Sequence, residues 1–344
     1  MQPFKHVNVT TVADAVAAIT DPTVRVIAGG TDLLNALEVG VYSSTTAIPY
    51  PKTLVNLKTI PNMDQITVNN GTLKVGALAK LADIASSSVV QGNYSMLSQA
   101  AASVATPNVR NMGTLGGNLC QSVECWYYRF PNRLGGYIDC HRKTAANPCY
   151  AAGGINTYHS IFGAPKGCFA VHPSDTATAL LALGASVVTN SRTIPIASFF
   201  DALTGTVLNT GEIVTEIDVP APPANTTQTF IKNAQRKAID FAVVSVAAML
   251  TMSGSKCTAA KIALGGVAPT PLESTAAENA IVGQTVNSTT AAAAASAAVA
   301  SAAPLTYNAF KVPTLQSVLA QAILAAASGP TTGSSTTTVT SQTK

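Results

Sequence analysis

The 344-residue sequence predicts an α+β protein of two domains. Three observations carry that expectation. Short helical and strand patterns are mixed through residues 1–222, a proline-rich connector "VPAPPAN" (219–225) follows a strand-like run, and long apolar runs then give way to alanine-rich helical stretches. The length suits two domains at roughly 150 residues each. The first is expected over 1–222, as two lobes of about 1–58 and 59–222 with an insertion at about 120–170. The second is expected over 223–328, with a disordered tail at 329–344 that lacks apolar periodicity.

Each element has a local reason. Residues 11–19 have helical spacing, and "VRVIA" (24–28) reads as a buried strand before the glycine turn and helix of "GGTDLL" (29–34). In "QITVNNGTLKVGA", Asn70-Gly71 between alternating runs predicts a hairpin. "SMLSQAAASVA" is helical, and "TPNVRNMGTLGGNL" (106–119) reads as a second glycine-rich loop. "DTATALLALGASVVT" is a helix running into a strand. Beyond the connector, "TFIKNAQRKAIDFAVVSVAAMLTMS" and "KCTAAKIALGGVAPTPL" predict long strands, then two or three helices. "TAAAAASAAVASAA" (290–303) is too weakly apolar for a membrane span and suits a soluble helix.

Composition excludes some classes. The net charge is +4 with no dense Lys/Arg tract, so nucleic-acid binding has no electrostatic footprint. No run reaches the ~20 apolar residues of a membrane span. Charged residues make up 10% of the chain, against about 25% in ordinary soluble domains. A surface of Ser, Thr, Asn and Ala suits an exported or acid-exposed protein. The N-terminal residues lack the pattern of a signal peptide, so export is expected to depend on another chain.

The two glycine loops are the first candidate site. In "VIAGGTDLL", two glycines between strand and helix let backbone approach a ligand, and exposed N–H groups there favour an anion such as pyrophosphate. An ordinary tight turn is the other reading, since neither a dinucleotide fingerprint nor a Walker A loop is complete. The second loop, "NMGTLGGNL", would hold the far side of a large ligand.

Six motifs in order, "IAGGTDLL", "NVRNMGTLGGNL", "HPSDTATALLALGA", "GEIVTEIDVP", "FIKNAQRKAIDFAVVSVAA" and "IALGGVAPTPL", resemble the FAD-binding subunits of the xanthine dehydrogenase, or molybdenum hydroxylase, family over residues 1–328. The resemblance implies a two-lobed FAD-binding domain of the vanillyl-alcohol-oxidase (PCMH) type. A C-terminal α/β domain of the CO dehydrogenase flavoprotein type would follow. By matching position, Val26, Ile27, Ala28, Gly29, Gly30, Thr31, Asp32 and Leu33 would wrap the pyrophosphate end of FAD. Gly113, Thr114, Gly116, Gly117 and Asn118 would contact its other side, Asp175 would accept from a hydroxyl or amino group, and Val214 and Lys232 would line the flavin. A helix N-cap is the plain alternative for Asp175, and a solvated strand position for Lys232. The resemblance also implies a molybdenum-cofactor large subunit, a [2Fe–2S] small subunit and an external electron acceptor.

Four of the six cysteines fall within residues 125–168, spaced Cys125-x14-Cys140-x8-Cys149-x18-Cys168. Spacing alone leaves zinc, disulfides and a Cys₄ [4Fe–4S] cluster open, although zinc ligands usually come as close CxxC pairs. A cysteine-bearing insertion here marks a subset of the family and resembles that of the periplasmic aldehyde oxidoreductase type. The 4-hydroxybenzoyl-CoA reductase type has a shorter last interval. The likeness implies Cys125, Cys140, Cys149 and Cys168 as [4Fe–4S] ligands, in the periplasm as passenger on a twin-arginine-bearing partner, or alternatively in the cytoplasm. Cys120 and Cys257 are expected to be buried packing residues, and Trp126 to shield the cluster. His141, His159 and His172 tune or ligate the cluster, or simply bond an irregular loop. Rival readings are a self-sufficient flavin oxidase and a cysteine-stapled binding protein without flavin.

Overall fold

In the computed structural model, residues 1–42, 48–130 and 138–329 are described. The tail expected from 329 therefore lies outside the described residues, apart from Gly329.

The N-terminal lobe contains β1 (Lys5–Asn8), α1 (Val12–Ala18), β2 (Val24–Ile27), α2 (Leu33–Glu38) and β3 (Thr53–Asn56). Its parallel sheet has the order β1–β3–β2. Thr11 starts α1 by accepting the Asp14 N–H at 3.0 Å. The expectation of a buried strand at 24–28 needs correction. β2 is a sheet edge, where Ile27 is buried but Val26 is 36% exposed.

The second lobe begins with the hairpin of β4 (Ile66–Asn69) and β5 (Thr72–Gly76). Asn70 and Gly71 both have positive φ, as a two-residue hairpin turn requires. Next come α3 (Leu81–Ser86), α4 (Ser88–Asn93), α5 (Ser95–Ser103), α6 (Pro107–Arg110) and α7 (Leu115–Leu119). The stretch 106–119 is thus two short helices joined at a glycine rather than one loop. Thr106 and Thr114 cap them through the Val109 and Gly117 N–H groups. After the cysteine segment, α8 (Asp175–Ala182), β6 (Ser186–Thr189), β7 (Thr193–Pro195), β8 (Phe200–Asp201), β9 (Gly205–Thr206) and β10 (Val214–Val219) complete the lobe. Its main sheet is antiparallel, in the order β4–β5–β10–β6–β7.

The C-terminal domain pairs β11 (Thr226–Asn233), β12 (Val244–Ser253), β13 (Lys256–Gly265) and β14 (Leu272–Glu273) in an antiparallel sheet, followed by α9 (Thr275–Ile281), α10 (Ser288–Ala298) and α11 (Lys311–Ser328). The run "VVSVAAML" is apolar on both faces because both faces are covered. Val244, Val246, Ala248 and Leu250 pack with the helices, whereas Ala247 joins the core of the first domain. At Gly265 a Cβ would lie 2.3 Å from Thr178 Oγ1 of α8, so a side chain here would force the two domains apart. In α10, Ala291, Ala294, Ala295 and Ala298 form the buried stripe. The residues 234–243, expected within a continuous strand, instead form a loop between β11 and β12.

The cysteine segment has a small apolar core of its own. Val123, Tyr128, Cys140, Cys168 and Ala170 pack with Ala36 of α2 and Val41. Its far end joins the C-terminal domain, where Ile161 is buried and bonds Val267 O at 2.9 Å.

Candidate functional site

The two glycine loops touch. A Cβ on Gly29 would lie 2.1 Å from Met112 O, so only glycine allows this approach. Gly30 has φ +73°. The second loop is tied to β5 and the turn after it, since Leu115 N–H bonds Ala79 O and Gly116 N–H bonds Ala77 O, both at 2.9 Å. Among the described residues, the backbone N–H groups of Gly29 to Leu33 donate to nothing. A row of open N–H groups in a glycine cradle fits an anionic group. The Asp32 carboxylate is turned away from the loop, toward the Ser122 N–H at 2.9 Å and the Arg129 guanidinium.

Asn118 carries the second loop across to α8. Its Oδ1 accepts from Ser174 Oγ and Thr176 Oγ1, each at 2.6 Å. Ser174 is the α8 N-cap, bonding Ala177 N–H at 3.0 Å, so the N-cap alternative for Asp175 is corrected. Asp175 is the next residue, 4% exposed, and Lys232 Nζ donates to its Oδ2 at 2.6 Å. Burial pushes the Asp175 carboxyl up, and Lys232 pulls it down. Lys232 also bonds Ser103 O at 3.1 Å, with its side chain 9% exposed, so it is no solvated strand residue. The second carboxylate oxygen of Asp175 has no partner among the described residues.

Asp175 borders a cavity of about 590 Å³ between the domains. His159 and Ser245 also border it, and His159 Nδ1 and Ser245 Oγ are both buried without a hydrogen-bond partner among the described residues. Burial lowers the His159 imidazole to about 4, so the ring is neutral near pH 7. Orphaned polar atoms on a roomy cavity fit a polar ligand that completes them. Trp126, expected as a shield, is 46% exposed and stands on this cavity against Tyr158. Val214 lies in the main core at the start of β10 and does not border the cavity.

All four predicted cysteine ligands, Cys125, Cys140, Cys149 and Cys168, border a second, much smaller cavity. None forms a disulfide. They do not close into a single-ion site among the described residues, and a four-iron core holds its thiolates farther apart than one ion does. The backbone N–H groups of Tyr127 and Tyr128 favour a thiolate at Cys125, and those of Arg142 and Lys143 favour one at Cys140, against the opposing effect of burial. Burial pushes the Cys125 thiol up to about 12, so it stays neutral unless a metal centre compensates its charge. Lys143 is buried, and Arg142 and Lys143 both lie over the Tyr128 ring. Four thiols, two of them with N–H groups beside them, and two nearby cations fit an anionic iron–sulfur centre. The two cavities share Cys125 and Ala170 as wall.

Of the histidines, His141 bonds Asn147 O and Lys166 O, and His172 bonds Leu119 O. These two stabilise the loop. His159 differs, since its Nε2 lies 3.2 Å from Cys125 Sγ. Cys257 is buried as expected, whereas Cys120 is exposed.

The family comparison identifies the cofactor of this kind of domain. Residues 2–222 match the FAD-binding domain in molybdopterin dehydrogenase, and 229–326 match the CO dehydrogenase flavoprotein C-terminal domain. This chain is an FAD-binding medium subunit of the molybdenum hydroxylase family. The flavoprotein subunit is 32% identical, over 94% of its length and 99% of the relative's, to the aldehyde oxidoreductase FAD-binding subunit PaoB of Escherichia coli. It is 25% identical to the carbon monoxide dehydrogenase medium chain of Afipia carboxidovorans, covering 81% of its own length and 80% of the relative's. The structure of carbon monoxide dehydrogenase from Hydrogenophaga pseudoflava superposes with a TM-score of 0.73 at 26% identity, covering 95% of this chain and 98% of that one. These relatives are oxidoreductase subunits.

Within the flavoprotein subunit, then, the expected residues Gly29 to Leu33, the expected Gly113, Thr114 and Gly116 to Asn118, and Asp175 with Lys232 lie on linked elements. Sequence reasoning missed Arg129, Ser174, Thr176 and Ser245. Ser174 in "HPSDTA" carried a readable N-cap signal; for Arg129 and Ser245 there was none, because their partners lie far along the chain.

Proposed function

We propose that this flavoprotein subunit carries FAD and a [4Fe–4S] cluster in a molybdenum-containing aldehyde oxidoreductase. The single observation behind this reading is the convergence of Cys125, Cys140, Cys149 and Cys168 on one cavity walled off from the larger one by Cys125 and Ala170. The likeness to an aldehyde oxidoreductase subunit over nearly its whole length supports it. A separate molybdenum subunit oxidises the aldehyde, a [2Fe–2S] subunit delivers the electrons, and an external acceptor removes them. FAD supplies the chemistry of accepting electrons singly or in pairs.

The chain's own residues bind and orient. Gly29 to Leu33 would hold the diphosphate through open N–H groups, and Gly113, Thr114 and Gly116 to Asn118 would hold the opposite side. Asp175 offers its free oxygen to a hydroxyl or amino group, with Lys232 holding the other oxygen by charge and hydrogen bond. Cys125, Cys140, Cys149 and Cys168 hold the iron. In our reading the complex works in the periplasm, carried by a twin-arginine-bearing partner, for which the low charge content is the support.

The test is the visible spectrum of the anaerobically purified protein before and after dithionite, with flavin and iron assays. The expected result is flavin bands on a broad shoulder and about four irons per chain. Flavin without iron would overturn the cluster.

A further inference from the structure

Asp32 occupies the N-cap position of α2 yet makes no capping hydrogen bond. An aspartate there normally accepts from N–H groups of the first turn. Instead both carboxylate oxygens are used elsewhere, Oδ2 by the Ser122 N–H and Oδ1 by Arg129. Arg129 is itself buried, its side chain 9% exposed. Its other donors reach Val123 O at 2.8 Å, Ser122 O at 3.2 Å and Asn35 Oδ1 of α2 at 3.2 Å, with Glu124 Oε1 at 2.9 Å. Its own backbone N–H closes a turn onto Cys125 O at 2.9 Å. One side chain therefore joins the start of the cysteine segment to the glycine loop and to α2. Beside it, Ala36 of α2 packs in the same apolar cluster as Cys140 and Cys168.

We propose that Arg129 is a positioning residue for FAD: it holds the Asp32 carboxylate off the open N–H groups of Gly29 to Leu33 and ties that loop to the cysteine segment. The inference rests on the FAD and iron–sulfur reading above. Freed from Arg129, the Asp32 carboxylate would be able to turn back toward the glycine loop and present an anion where the diphosphate must sit. The fixed fork of a guanidinium suits this task, because it serves several acceptors in one plane. The same contacts make the loop sensitive to whether the segment is folded around its four cysteines.

The experiment measures the FAD dissociation constant by flavin fluorescence on the full chain, reconstituted after mild flavin removal. Iron per chain and the melting temperature of the flavin-free protein are read alongside. Arg129→Gln is expected to weaken FAD binding on the order of tenfold with iron and melting temperature kept. Adding Asp32→Asn should recover part of that loss, because no carboxylate is left to intrude. The iron-free variant Cys140→Ser is expected to bind FAD more weakly than the parent. Unchanged FAD binding in Arg129→Gln would overturn the proposal. So would a loss that follows a fall in melting temperature and is not relieved by Asp32→Asn, since Arg129 would then be structural only. Unchanged FAD affinity in Cys140→Ser would break the tie to the segment. A parent protein without iron would refute the cluster while leaving the Arg129 and Asp32 comparison intact.

Discussion

Asp175 and Lys232 show what burial does to a pair of charges. Each alone would be costly inside the protein; together, at 2.6 Å and nearly without solvent, they neutralise each other. Removing one partner leaves the other buried and unpaired. Lys232→Met is therefore expected to cost ~3–5 kcal/mol of unfolding free energy, measured in urea. The double variant Lys232→Met with Asp175→Asn should recover most of it. A fully additive double variant would show that the pair is not coupled. The pairing itself was not legible, because 57 positions separate the residues and only the packing of β11 and α8 on α5 brings them together.

At the scale of elements, the turn between β6 and β7 is clamped to the segment entering β10. Glu212 is almost fully buried and accepts from Arg192 Nε at 2.7 Å, Thr189 Oγ1 at 2.9 Å and the Asn209 N–H at 2.9 Å. Arg192 and these donors hold its carboxyl down to about 2, against an ordinary 4.5. Because the folded value lies below the unfolded one, the stabilisation is complete above about pH 4.5 and is lost as pH falls toward 2. Glu212→Gln should cost ~1–2 kcal/mol at pH 7, after allowing for water around the half-exposed Arg192. The gap between variant and parent should close in urea titrations at low pH. A gap independent of pH would reject this account. α11 is held differently. Lys311 at its start is buried and donates to the carbonyls of Tyr158, His159 and Gly266 at 2.5–3.2 Å. This anchors the helix behind the large cavity.

For the whole molecule, the cysteine segment links regions that the chain order separates. One part shares a core with α2, and another, through Ile161, belongs to the core of the C-terminal domain. Losing the proposed cluster should loosen the first contact more than the second, since Cys140 and Cys168 are members of the first core itself. Hydrogen exchange of an iron-free Cys140→Ser protein should rise in Leu33–Glu38 and stay near the parent's in α10 and α11. Uniformly faster exchange would mean that the segment supports the whole fold. No helix among the described residues is long and apolar enough to cross a membrane.

By itself the sequence determined the elements whose signals are local. Asn70-Gly71 requires two positive φ values, the alanine stripe of α10 recurs at helical spacing, and the glycines of both loops mark where backbone must come close. It also carried the ordered motifs by which the family is recognised. The tertiary structure alone decided which side chains meet. It placed Val26 on an exposed edge, turned Asp32 from the loop to Arg129, set Lys232 against Asp175, and put His159 beside Cys125 on the wall of the large cavity. Periodicity and turn chemistry act over a few residues, so a sequence states them directly. Ion pairs and orphaned polar atoms depend on where distant elements pack, and that is settled by the burial of whole faces against one another.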